Sequence, residues 1–201
     1  MTCTTQHASV SALGEVIEAS TFELAVQCHN LYDAPPLGAL VKTEGKNPVF
    51  GVVAEVTTRG IDPGRRPMVL GTGESSGDVV YDRNPQLSRL LATEFRLVVL
   101  GHKTGDIISH VPAEIPPRIH DFVFPCEDGE ISKFCESLLF LPMLLAHTVN
   151  SPDDLVAALL LQASKVQPDR DDFLLKAGRE LATILRGEFI RLQAILRRID
   201  I

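Results

Sequence analysis

The chain has no tryptophan, and its two tyrosines and nine phenylalanines leave aromatics at 5% of 201 residues. Its formal charge is −7. Single-stranded nucleic acid is held by basic grooves interleaved with aromatic stacking platforms, and this composition offers neither, so nucleic acid is not an expected partner. No apolar run approaches the roughly 18 residues that a bilayer span requires, so no membrane span is expected. The opening MTCTTQHASV lacks the basic and apolar regions of a secretory signal. Residues 1–12 read as a disordered lead-in, and the protein as cytoplasmic. The four cysteines, Cys3, Cys28, Cys126 and Cys135, form no CxxC pair, which in a cytoplasmic chain predicts reduced, partly buried thiols.

What is present is ordinary for a globular protein: 45% apolar and 22% charged residues, in a chain long enough for one large domain or two small ones. The charge is unevenly spread. Residues 1–150 carry 11 basic and 18 acidic side chains, whereas 151–201 carry 8 of each. This asymmetry supports two differently built regions.

The first region alternates apolar and polar residues with period two, the mark of half-buried strands. Leu13–Ser20 does so, and Phe22–Cys28 places Phe22, Leu24, Val26 and Cys28 on one face. Ala34-Pro-Pro36 stops any strand, because proline cannot donate to a ladder. Ala39–Thr43 and Val49–Thr58 form the next pair, joined by the turn residues Glu44-Gly-Lys-Asn-Pro48. Gly51 falls inside the last strand, where glycine marks a bulge or a bend. Four such runs predict one small barrel over 13–70, with a brief return to strand at Met68–Leu70.

A second strand group with one helix is predicted over 79–126. Asn84-Pro85 supplies a helix start, and Leu87, Leu90 and Leu91 extend it to about residue 93. Phe95–Gly101 and Ile107–Val111 read as a strand pair around Lys103-Thr-Gly-Asp106, and His120–Phe124 as a last strand. From 127 to 201 the period becomes helical. About four helices are predicted there, with starts at Ser151-Pro-Asp-Asp154 and Asp169 and a break at Gly187. The fold class is thus α+β, a small antiparallel barrel with further strands and a C-terminal helical bundle.

Residues 13–70 resemble the HAS barrel, shared by HerA-type helicases and the N-terminal ends of rotary ATP synthase subunits. The matching features are Gly14-x-Val16, the Ser20-Thr21 turn, Gly38-x-x-Val41 and Gly51-x-Val53. Ile115-Pro-Pro-Arg-Ile-His-Asp-Phe-Val123 is similar to the Pro-Pro segment that leaves the barrel in HerA-like proteins. In that family the barrel precedes an ATPase domain. Here no G-x-x-x-x-G-K-[ST] occurs, and 127–201 reads as helical throughout, so ATP hydrolysis is not carried over. The resemblance implies a stand-alone barrel protein whose barrel serves oligomerisation.

Candidate chemistry is sparse. Gly71-x-Gly73-x-x-x-Gly77 departs from the dinucleotide fingerprint and reads as an exposed loop. His102, His110 and His120, with Cys126 nearby, lack the paired spacing of a zinc site. Cys28 and His29 are adjacent, so in a strand they point to opposite faces and cannot act as nucleophile and base. Asp169, Asp171 and Asp172 complement the dipole at a helix N-terminus, and Arg191, Arg197 and Arg198 read as the wet face of the last helix. Arg59, Arg65 and Arg66 crowd one loop at an end of the barrel and are the candidate contact for a partner or an anion; the plainer reading is a solvated loop paired to Asp62. No catalytic residue, cofactor or metal is predicted. The expected function is a non-catalytic assembly or adaptor role with a protein partner or a homo-oligomer. The alternatives are an accessory factor of a HerA-like DNA-processing or ATPase machine, or a nucleotide binder whose site is not visible as a motif.

Overall fold

The computed structural model describes residues 11–62, 64 and 66–199. Four strands appear where period two predicted them: β1 Gly14–Ala19, β2 Glu23–Cys28, β3 Leu40–Thr43 and β4 Val49–Gly60. The Ser20 hydroxyl turns the first hairpin, accepting the N–H of Glu23 at 2.9 Å and of Phe22 at 3.2 Å. Phe22 is therefore in the turn rather than the strand and is 57% exposed, although alternation set it on the face of Leu24 and Val26.

These four strands do not close on themselves. β5 Leu91–Thr104 and β7 Phe122–Pro125 complete the ring in the order β2-β1-β7-β3-β4-β5, and β2 pairs with β5 to shut it. All six pairings are antiparallel. β6 Ile107–Ser109 adds a seventh strand outside the ring, against β5. A barrel confined to 13–70 is thus corrected: full closure is what removes sheet edges, and here closure takes strands from both sequence groups. The Pro-Pro segment does not leave the barrel; it leads into β7, inside the ring.

The register slips at Phe50/Gly51 and again at Val53/Glu55, so Gly51 does mark a bulge. Bulges curve the strand; β4 serves two cores because its side chains alternate between faces, Val49 and Val53 inward and Phe50 and Val52 outward. Val16, Leu24, Val26, Cys28, Val41, Val53, Phe95, Leu97, Val99 and Val123 fill the barrel lumen. Leu40, Phe50, Val52, Val98 and Leu100 point outward into a second cluster built with the helices. Strands covered on both faces read as unbroken apolar runs rather than as alternation, and Phe50–Val53 and Leu97–Leu100 are such runs.

Two short helices precede β5. α1 Gly77–Arg83 is capped by the Ser76 hydroxyl and was not predicted. α2 Leu87–Leu90 is four residues long rather than the nine expected, because Leu91 already starts β5 opposite Gly60. Met68–Leu70 is not strand. Beyond β7 lie α3 Asp128–Phe134, α4 Leu141–Leu145, α5 Pro152–Ser164, α6 Arg170–Ile184 and α7 Phe189–Arg198. α5 is the central one, with Leu155, Val156, Leu159, Leu160 and Ala163 buried. Asp169 caps α6 by accepting the Asp172 N–H at 3.0 Å. Among the described residues, no helix is long and apolar enough to cross a membrane.

Candidate functional site

The sequence pointed to the loop after β4, and the structure sets that loop at the end of a two-stranded arm. β3 leaves β4 early: the last backbone bonds on that side are Gly38 N–H to the Val53 carbonyl at 2.9 Å and Val53 N–H to the Ala39 carbonyl at 3.0 Å. β4 and β5 run on together to the Gly60–Leu91 pair. Past the slip at Val53/Glu55, from Glu55 to Gly60, the outer edge of β4 has no backbone partner among the described residues. Ile61 N–H bonds the Leu90 carbonyl. In an antiparallel ladder paired and unpaired positions alternate, so the N–H groups of Val56, Thr58 and Gly60 face outward.

The charged face of this arm is laid out by the same alternation. Glu55, Thr57 and Arg59 lie on one side, opposite Arg96, Glu94 and Ala92 of β5. Arg59 pairs with Glu94 at 2.5 Å while its side chain stays 62% exposed, and Arg96 reaches Glu18 at 3.3 Å. Glu55 has no ion-pair partner among the described residues. On the opposite face the Thr93 hydroxyl, buried, meets Thr58 Oγ1 at 2.8 Å and accepts the Tyr32 N–H at 2.8 Å. Tyr32 in turn hydrogen-bonds the Tyr81 hydroxyl of α1, which ties the arm's helical cap to the barrel.

Arg59 and Arg66 line one cavity of about 350 Å³ together with Asp62 and Glu94; Arg65 lies outside the described residues. Among the described residues, neither Arg59 nor Arg66 makes the anticipated ion pair to Asp62. Asp62 instead accepts the Gly64 N–H at 2.9 Å, a short-range turn contact typical of Asp. Two cations and two carboxylates share the cavity, so an incoming anion must compete with Glu94 for Arg59. Arg191 is also reassigned from the wet face of α7: its guanidinium grips Asp153 of α5 at 2.7 to 3.0 Å, and burial is partial.

A cavity of about 540 Å³ opens beside the barrel between Thr43, Glu44, His102 and the Val111–Arg118 strap. His102 Nδ1 is bonded to the Val111 carbonyl at 3.0 Å. The three histidines weighed with Cys126 do not meet. His110 donates Nε2–H to the Phe134 carbonyl at 2.9 Å. His120, at φ +72°, turns to Glu15 of β1 instead. Among the described residues, no group of three or more His, Cys, Asp or Glu side chains is placed to hold a metal ion.

Glu15 was missed as a centre. It accepts His120 Nδ1–H at 2.8 Å and His29 Nε2–H at 3.3 Å, joining β1 to the loops after β2 and before β7. Only the strand pairing brings residues so far apart in sequence together. The His120 hydrogen bond is the largest effect and holds the Glu15 carboxyl below its ordinary value; burial, next in size, opposes it, and the His29 hydrogen bond adds to the lowering. A carboxyl with a lowered native pKa contributes stability that is complete above its unfolded value and is lost as pH falls through the native one. The melting temperatures of the wild type and Glu15→Gln should therefore differ most near neutral pH, with wild type higher, and converge towards about pH 3. A gap that stays constant with pH would show the clamp is inert.

Cys28, Cys126 and Cys135 are all buried. Burial pushes the Cys28 thiol up to about 11, with Asp33 and Glu94 adding to it, and the Cys135 thiol up to about 12; burial likewise raises Cys126, with help from Glu130. The thiolate is the reactive form. In a Cys3→Ser background, a thiol reagent at about pH 8 should react roughly 100-fold more slowly with the native protein than with the chain in guanidinium. Fast stoichiometric labelling of the native state would contradict this.

No protein-family model matches this chain, and no curated protein matches its sequence.

Proposed function

We propose that this chain is a non-catalytic assembly or adaptor protein of the cytoplasm, a stand-alone HAS-type barrel whose arm mediates self-association or docking to a larger complex. The observation that carries the reading is the segment between β4 and β5. Residues 61–90 contain no buried side chain among those described, yet they display Ile61, Met68, Val69, Leu70 and Leu90, with Met68 81% and Val69 86% exposed. Scattered exposed apolar residues are normal, whereas a contiguous run marks a contact surface, and Pro67-Met-Val-Leu70 is such a run. The rigid barrel beneath it suits a connector. The short motifs shared with HAS barrels support the same role.

The test is photo-crosslinking from positions 68 and 69 in cells, with exposed Lys165 as the control position. Adducts heavier than the monomer from 68 and 69, and none from 165, are expected. Equal yields from all three positions would sink the reading. So would a broad nucleotide panel in which one compound raises the melting temperature, because a ligand that binds only the native state stabilises it.

A further inference from the structure

We propose that two copies of this chain pair through the free outer edges of β4, antiparallel about a two-fold axis at Thr57. The inference rests on the self-association reading and specifies its surface and its register.

The open edge from Glu55 to Gly60 is only partly guarded against strand addition: its two charges, Glu55 and Arg59, are of opposite sign. It holds no proline and no lysine, and no strand covers it among the described residues. Natural sheets blunt such edges with those devices or cap them. The slip at Val53/Glu55 turns β4 away from β3, and beyond it Val56, Thr57 and Thr58 are β-branched residues suited to a pleated ladder. The outward N–H groups of Val56, Thr58 and Gly60 are ready donors, and main-chain bonds of this kind give strand addition its affinity.

Charge selects both the partner and the register. With Thr57 opposite Thr57 of the second copy, Glu55 of each copy faces Arg59 of the other, and Val56 faces Thr58. Residues directly opposite across antiparallel strands bring their Cβ atoms to about 5 Å, so both charge pairs are within reach. Moving the axis by one residue in either direction separates Glu55 from Arg59 and leaves the acid opposite an uncharged residue. Glu55 is exposed and has no ion-pair partner among the described residues. Arg59 uses one terminal nitrogen on Glu94, and a guanidinium carries five donors in a fork, so it can bridge Glu94 and the second copy's acid. Val56, 43% exposed in the single chain, would be covered. A short edge buries less than the roughly 1,200 Å² of a standard stable interface, so the dimer is expected to be weak, with a dissociation constant on the order of 10 µM.

The experiment is sedimentation equilibrium of the full chain at low salt, for wild type, Glu55→Arg, Arg59→Glu and a mixture of the two variants. Each variant alone sets like charges against each other at both positions and should dimerise roughly tenfold more weakly or worse. In the mixture, Arg at 55 of one variant faces Glu at 59 of the other, while the native Arg59 and Glu55 face each other. Hetero-dimers should therefore form with near wild-type affinity. Because the same two folded variants are compared alone and mixed, a folding defect cannot mimic this rescue. A wild type that self-associates while neither variant weakens it, or a mixture without rescue, overturns the β4 edge and leaves the assembly reading standing. A wild type monomeric to high micromolar concentration overturns the edge pairing too, while adducts from positions 68 and 69 would still report docking to another protein.

Discussion

Phe134→Ala should lower folding stability by about 3–5 kcal/mol, the range for emptying a large aromatic from a packed core. The ring is fully buried at the joint between the two halves of the molecule. Its centroid lies 5.1 Å from Phe50, on the outward side of β4, and 5.4 Å from Phe140 at the start of α4. The His110 ring meets it edge-on at 4.6 Å. Aromatic contacts of this geometry add to simple burial, and neighbours held on a strand, on the loop after β6 and at the start of a helix cannot all move in to fill the gap. Phe134→Leu keeps most of the volume and should cost about 1–1.5 kcal/mol. Urea unfolding followed by circular dichroism measures both. A loss below about 1.5 kcal/mol for alanine would mean that the site collapses and that Phe134 is not the joint.

The same substitution has a second readout. Burial holds the His110 pKa below its ordinary value, against an opposing effect of the hydrogen bond it makes to the Phe134 carbonyl. A histidine whose native pKa is lowered binds more protons when unfolded, so its contribution favours the native state above the unfolded pKa and is lost on acidification. Opening a cavity beside the ring admits water and should move the His110 titration midpoint, followed by NMR, upward toward the free value.

Gly38→Ala is the other large expected effect, at about 3 kcal/mol or more. Gly38 sits at φ +80°, and a Cβ there would lie 2.5 Å from the Ala158 carbonyl carbon and 2.6 Å from the Leu159 nitrogen. Those are backbone atoms of α5, which cannot swing aside as a flexible side chain can. The left-handed conformation costs a non-glycine residue about 1–2 kcal/mol, and overpacking adds typically 1–3 kcal/mol. Gly45→Ala separates the two effects. Gly45 is at φ +106° with nothing within 4 Å of the added carbon, so it should show the conformational cost alone, about 1–2 kcal/mol. Equal losses at 38 and 45 in chemical denaturation would show that α5 yields freely and that close packing on the barrel is not needed.

The parts of the fold that were legible in the sequence are those written locally. Alternation located β1 to β4, Asp169 announced the cap of α6, and Cys28 fell on the face of Leu24 and Val26, where it is buried. The misreadings share one physical cause, the long-range partner. Leu91 has helical spacing from Leu87, yet it pairs with Gly60 and becomes strand. Phe22 fits the period, but the Ser20 turn claims it first. α1 has no apolar stripe to announce it, because none of its residues is buried. At the candidate site, Arg59 and Arg66 were legible as a cluster, whereas Glu94 came from 35 residues downstream. The open edge of β4 was not legible at all, since an edge is defined by a neighbour that stops short.

β7 has only four residues, and it is the last of the barrel strands to be translated. It sits between β1 and β3, which have no pairing with each other. A nascent chain therefore carries two unsatisfied strand edges until Phe122–Pro125 has been added. Such edges invite pairing with other chains, and incompletely formed intermediates are where proteins of this size aggregate. Ring closure thus waits for the last barrel strand in the chain, and a stop or a cut before Phe122 yields an open sheet rather than a smaller barrel.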